Sequence, residues 1–108
     1  MEGRGGKILK VGAIPVGDEL EVFTEFRNNG NRRCDYMTVL YGKEGEEVKS
    51  SPFRSVEAEG IETLEVRTGL SNPKLKGEYT VKLYIAIRLP SGEPIRVKEV
   101  AKEGPWEI

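Results

Sequence analysis

Glu78-Tyr79-Thr80-Val81-Lys82-Leu83-Tyr84-Ile85-Ala86-Ile87-Arg88-Leu89 is the stretch that decides the fold. In an extended chain Tyr79, Val81, Leu83, Ile85, Ile87 and Leu89 fall on one side, and Thr80, Lys82, Tyr84, Ala86 and Arg88 on the other. A period of two held this long is a strand with one dry face and one wet face, as in an antiparallel sheet packed on a core. Pro90-Ser91-Gly92-Glu93 then turns the chain. Pro94 to Ala101 returns antiparallel, with Ile95, Val97 and Val100 as core candidates. The spacing from Val97 to Val100 breaks the alternation and predicts a bulge or the end of the strand there.

Working outward, the same signal recurs between Gly, Pro and Asn punctuation, and no stretch repeats apolar residues at helical spacing. Lys7 to Ile14 reads as a first strand, with Ile8 and Val11 inward. Pro15 to Asp18 breaks it. Glu19 to Arg27 follows, with Leu20, Val22, Thr24 and Phe26 on one face and Phe23 the exception on the polar face. Asn28-Asn29-Gly30-Asn31 supplies residues that tolerate a turn. Cys34 to Tyr41 is the next strand, Gly42 to Gly45 a turn, and Glu46 to Lys49 a short strand. Ser50 to Glu59 reads as a loop carrying an edge strand near Phe53 to Val56. Ile61 to Thr68 alternates again, with Leu64 and Val66 on one side, and Gly69 to Lys76 is a loop.

About seven strands in 108 residues predict one all-β domain, an antiparallel β-sandwich of immunoglobulin-like type, with an OB-type barrel as the alternative. The boundaries expected are a disordered segment over 1–6, the sandwich over 7–103 and a tail over 104–108.

Composition narrows the function classes. Lys plus Arg is 17 and Asp plus Glu is 18, so the clustered positive charge that draws nucleic acid is missing; the adjacent pair Arg32-Arg33 reads as a solvated loop tip. No apolar run is long enough for a membrane helix, so no membrane insertion is expected. One cysteine, Cys34, excludes an internal disulfide and a multi-cysteine zinc site, and it reads as a small buried side chain rather than a reactive thiol. The absence of His removes the commonest general base, and no motif assembles a nucleophile, a base and an orienting group. The chain is therefore read as non-catalytic, with no cofactor and no metal. Calcium is the one metal whose oxygen ligands occur, at Asp18, Glu19 and Asp35, without a recognisable loop. The Glu, Lys and Arg bias, with no His or Gln, is of the kind found in heat-adapted proteins.

Leu75-Lys76-Gly77-Glu78-Tyr79 looks like the tyrosine corner of immunoglobulin-like domains, in which Tyr79 would return its hydroxyl to the backbone upstream; an ordinary core aromatic is the other reading. Val16-Gly17-Asp18-Glu19-Leu20, Phe26-Arg27-Asn28-Asn29-Gly30, Val39-Leu40-Tyr41-Gly42, Ala58-Glu59-Gly60 and Gly77-Glu78-Tyr79-Thr80-Val81 follow in order. Together they resemble the cell-adhesion-related domain of bacteria and archaea (the CARDB family) over residues 8 to about 101. The resemblance implies an adhesion or spacer module of cell-surface or secreted proteins, and it carries no catalytic residue to this chain.

A contact surface is expected where apolar residues face outward. For the strand Cys34–Tyr41 two registers are open: Met37, Val39 and Tyr41 inward, or Tyr36, Thr38 and Leu40 inward. Taking the first leaves Tyr36, Leu40, Tyr84 and Ala86 on one outer face. Trp106 is a second candidate, as a cap on the sandwich or a dock for a following domain. The function expected is a non-catalytic module that binds another protein or neighbouring domain. A self-associating homo-oligomer using the same face is the alternative, and a carbohydrate-binding module a weaker one.

Overall fold

A computed structural model describes residues 5–17, 19–71 and 78–107, with backbone only at 20, 66–71, 94, 106 and 107. The strands are β1 (Lys7–Val16), β2 (Glu19–Arg27), β3 (Cys34–Tyr41), β4 (Glu47–Ser50), β5 (Arg54–Val56), β6 (Ile61–Ser71), β7 (Glu78–Arg88) and β8 (Pro94–Glu107). One sheet has the order β1-β2-β6; the other has β4-β3-β7-β8, with β5 also paired to β3. All pairings are antiparallel. The chain crosses between sheets after β2, after β5 and after β6, and the two sheets pack as a β-sandwich.

β4 and β5 are two pieces of one edge strand along β3. Pro52 has no N–H to give a ladder, so the strand breaks at Ser51-Pro52-Phe53. Ser51 repairs the gap. Its N–H donates to Thr38 O at 2.8 Å, and its Oγ accepts the Thr38 N–H at 2.8 Å.

Two apolar clusters fill the space between the sheets. Phe26, Tyr36, Val56, Leu64, Leu83, Val100 and Ala101 form one, and Val22, Leu40, Tyr79 and Val81 the other. Ile8 and Val11 lean on them from β1 as expected. Fully burying side chains of this size contributes about 1.5–3 kcal/mol each, so these rows are the main source of stability. On the outer face of the smaller sheet Phe23 lies across Gly12, where a Cβ would come within 2.4 Å of its ring.

The register taken for β3 is overturned. Tyr36, Thr38 and Leu40 point into the sandwich and are each 0% exposed, so Tyr36 and Leu40 are core residues and not part of an outer face. The reason is visible in β3 itself, where residues 36–40 are all buried. Met37 and Val39 point away from the other sheet, yet they are covered by a separate outer cluster.

At both ends the described residues depart from the boundaries expected, residues 1–4 and 108 lying outside them. Gly5 and Gly6 are packed: the Gly5 N–H donates to Asn29 Oδ1 at 3.0 Å, Tyr36 Oη donates to Gly5 O, and Gly6 lies against Val100, Leu83 and Tyr36. Residues 104–107 continue β8 instead of leaving as a tail, pairing Trp106 with Tyr79 and Glu107 with Glu78. A cis peptide bond joins Gly104 to Pro105. Gly5 lies against Ile85, whereas Glu107 pairs with Glu78, so the two are about 23 Å apart along β7 at strand rise.

Asn28 ties one end together. Its Nδ2 donates to Arg32 O at 2.8 Å and Val56 O at 2.9 Å, and its Oδ1 accepts the Gly30 N–H at 3.0 Å. Its backbone N–H donates to Gly60 O, and its carbonyl accepts from Glu59 N–H. A fully buried amide is tolerable only when satisfied in this way. Arg27 and Glu59 close the same turn as an ion pair.

Candidate functional site

Two surfaces compete as a contact site, and both involve β7 and β8. The first is the outer face of the larger sheet. Tyr84 and Ala86 lie there as expected, but their companions are Met37, Val39, Tyr41 and Phe53 rather than Tyr36 and Leu40. Met37, Val39 and Ala86 are 5%, 0% and 2% exposed, so this face is a small core of its own.

Its cover is made of rings and cations. Tyr41 Oη and Tyr84 Oη are 2.7 Å apart. Lys82 Nζ stands 5.1 Å from the Tyr41 ring centre, the Arg96 guanidinium 5.6 Å from that of Tyr84, and the Arg88 guanidinium 5.4 Å from that of Phe53. Positive charge over an aromatic face is attracted by the ring quadrupole. The cations are held in turn: Arg96 pairs with Glu47 at 2.6 Å, and Lys82 with Glu99 at 3.0 Å. Glu47 is on β4 and Arg96 on β8, so this pair spans the sheet from edge to edge. Burial pushes the Tyr84 hydroxyl above the ordinary phenol range. Its hydrogen bond to Tyr41 and the charges of Tyr41 and Glu99 add to the rise, while Arg96 opposes it.

The second surface is the open end of the β7–β8 hairpin. Ile87 and Ile95 are direct cross-strand partners, 50% and 40% exposed, and Val97 beside them is 57% exposed. Ile95 and Val97, expected in the core, are therefore at the surface. Ile87 keeps the inward parity of β7 but is not covered. A shallow groove adjoins this strip, lined by Arg33, Cys34, Asp35, Ile85, Ala86 and Ile87. Its rim is polar: Arg33 pairs with Glu57 at 3.3 Å, and Asp35 accepts a hydrogen bond from Ser55 Oγ. Cys34 is half-buried and packs on the inner cluster. Burial raises the neighbouring Tyr36 hydroxyl, and Cys34 raises it further.

The remaining candidates fall elsewhere. The backbone of Trp106 is paired in β8, and its side chain lies outside the described residues. Tyr79 is buried among Val22, Leu40 and Val81, while residues 72–77, from which a tyrosine corner would be built, lie outside the described residues. Asp18 does too. Glu19 opens β2 and Asp35 stands near the start of β3, so the full length of β2 separates them, about 27 Å at strand rise. Among the described residues, no three His, Cys, Asp or Glu side chains gather as a metal site, and no helix is long and apolar enough to cross a membrane.

The sequence reading missed Phe53, Arg88 and Arg96 as parts of the outer cluster, and Asn28 as a side-chain hub. The usable signal for the hub was Asn28 two residues before Gly30, the spacing of an Asx turn.

No family model matches the chain, and no curated protein sequence does. Among solved structures the chain is similar to DesR, a β-glucosidase from Streptomyces venezuelae in complex with D-glucose, at 12% identity and a TM-score of 0.49. That match covers 86% of this chain and 15% of the enzyme's chain.

Proposed function

We propose that this chain is a non-catalytic binding or spacer module of immunoglobulin-like type, contacting another protein or a neighbouring domain through the apolar strip of Ile87, Ile95 and Val97. The exposure of those three side chains side by side carries the reading. Apolar groups in a row, rimmed by polar ones, mark a contact surface more often than isolated apolar residues do. The resemblance to the cell-adhesion-related domain is proposed with this reading. The Asn28–Gly30 hydrogen bond gives a physical reason for the Asn-x-Gly motif that enters that resemblance.

Self-association through the strip is the second reading. Carbohydrate binding on the Tyr84 face ranks below both, since each ring of that face already carries a cation of this chain.

Lysine substitutions separate a contact surface from a structural one. Ile87→Lys and Val97→Lys are expected to change folding stability by no more than about 0.5 kcal/mol, as surface positions do, while lowering the binding of an apolar dye. Chemical denaturation reads the first quantity and dye fluorescence the second. A loss of more than about 1 kcal/mol would make the strip part of the core and contradict the proposal.

A further inference from the structure

The strip ends at a sheet edge, and β8 is not a regular edge strand. Its 14 residues run beside the 11 of β7, and the surplus is taken up where the pairing slips, at Val97, at Val100 and across Gly104-Pro105. The slips leave the ladder in step only over Pro94–Arg96, Lys98–Glu99, Ala101–Glu103 and Trp106–Glu107. An added strand needs a longer run, since strands typically pair over about five or six residues. At Val100 the strand already has a neighbour, because Gly5 and Gly6 lie against its side chain. The part before it, Pro94–Glu99, carries the exposed apolar residues Ile95 and Val97 and pairs Ile95 with the exposed Ile87.

That part carries two obstacles to pairing. One is the bulge at Val97, which kinks the strand and throws its outward groups out of step. The other is Lys98, which stands opposite Ile85 and so takes the parity of the apolar face, at an exposed position. A lysine on the apolar side of an edge strand would be buried if another strand were added there, and a buried unpaired ammonium is costly.

We infer that the Val97–Lys98 bulge is an edge guard, which keeps the apolar end of the hairpin from pairing strand to strand with a second copy of this chain. Contacts through the strip are then made by side chains on its face, and main-chain extension of the sheet at β8 is refused. The inference holds for any other protein that the strip contacts.

Deletion of Lys98 tests it. The deletion sets Val97 opposite Ile85 and leaves an unbroken run from Pro94 to Glu99, with Ile95 and Val97 on the apolar side. The full chain should stay at 12.1 kDa across a wide concentration range in sedimentation. The folded deletion variant should rise toward twice that mass, and new amide protection should appear along β8. Lys98→Val, which keeps the bulge and removes the charge, should associate at higher concentration than the deletion variant. A folded deletion variant that remains monomeric would overturn the inference, as would a wild-type chain that associates through β8. If the deletion variant does not fold, Lys98→Val decides: association supports the guard, and a monomer at every concentration overturns it.

Discussion

β3 and β7 lie side by side in the larger sheet over seven cross-strand pairs, from Asp35–Ala86 to Tyr41–Thr80. β7 alternates, with Tyr79, Val81 and Leu83 buried and Thr80, Lys82 and Tyr84 half-covered. β3 is buried without interruption from Tyr36 to Leu40. The two strands meet the same inner core but differ on the outer side. Outside β3 the chain has built a second cover from Tyr41, Phe53, Tyr84 and three cations. Alternation in a sequence is the mark of one wet face. Where both faces are dry the pattern becomes an apolar run, and its parity cannot be read.

The largest expected effect tests that two-sided burial. Tyr36→Ala removes a ring packed 5.0 Å from Phe26 and a hydrogen bond to Gly5, and should cost about 3–5 kcal/mol. Val39→Ala, on the opposite side of the same strand, should still cost about 1–3 kcal/mol, because Val39 is 0% exposed on a face that has no sheet over it. Denaturant unfolding of both variants measures this. A Val39→Ala change that is neutral would reduce the outer cluster to loose surface cover, and the comparison would fail.

Ionisation of the tyrosines sharpens the contrast with a smaller effect. Tyr36 on the inner side and Tyr84 on the outer side both have hydroxyls raised above the ordinary phenol value of 10.0, chiefly by burial. The unfolded chain therefore loses these protons first as pH rises. Stability from the two phenols is intact below about pH 10 and falls as the pH climbs toward their folded-state values. Melting temperatures from about pH 8 to about pH 11.5 should stay level and then drop. Tyr36→Phe and Tyr84→Phe should each make the drop shallower. Loss of the effect in Tyr36→Phe alone would mean that the outer face is wet.

What was legible in the sequence follows the same division. The strands whose apolar residues alternate, β2 and β7 as far as Tyr84, were readable from alternation alone, and Leu64 was correctly turned inward. β5 lies near the edge strand expected within Ser50 to Glu59. β3 was readable as a strand but not in parity, since Tyr36-Met37-Thr38-Val39-Leu40-Tyr41 offers apolar groups on both sides. That one ambiguity sent Tyr36 and Leu40 to the wrong face. In β8 the spacing from Val97 to Val100 announced a bulge or an end, and the strand bulges there and continues. Gly104-Pro105 read as a stop, although the strand runs through it to Glu107.

The features that define the candidate sites depend on residues far apart in the chain. Arg96 over Tyr84, joined to Glu47, links opposite edges of a sheet, and no local pattern encodes that. The Gly-rich start looked free because its anchors, Asn29 and Tyr36, come much later. Asn28 was visible as a turn former; its two amide donors reach Arg32 and Val56 only once the fold is closed. Exposure of Ile95 and Val97 was hidden for a related reason. Their apolar character suggests a core, and only the three-dimensional arrangement reveals that the end of the hairpin is left uncovered.

The register of β3 decides which residues are open to a partner, so nuclear Overhauser contacts of the Tyr36 ring in solution are the most direct test. The account predicts strong contacts from Tyr36 to the Phe26 ring across the sandwich, with Val39 showing none to the smaller sheet. Contacts from Tyr36 to Tyr84 or Arg96 instead, with Val39 against Leu64, would reverse the strand and contradict it.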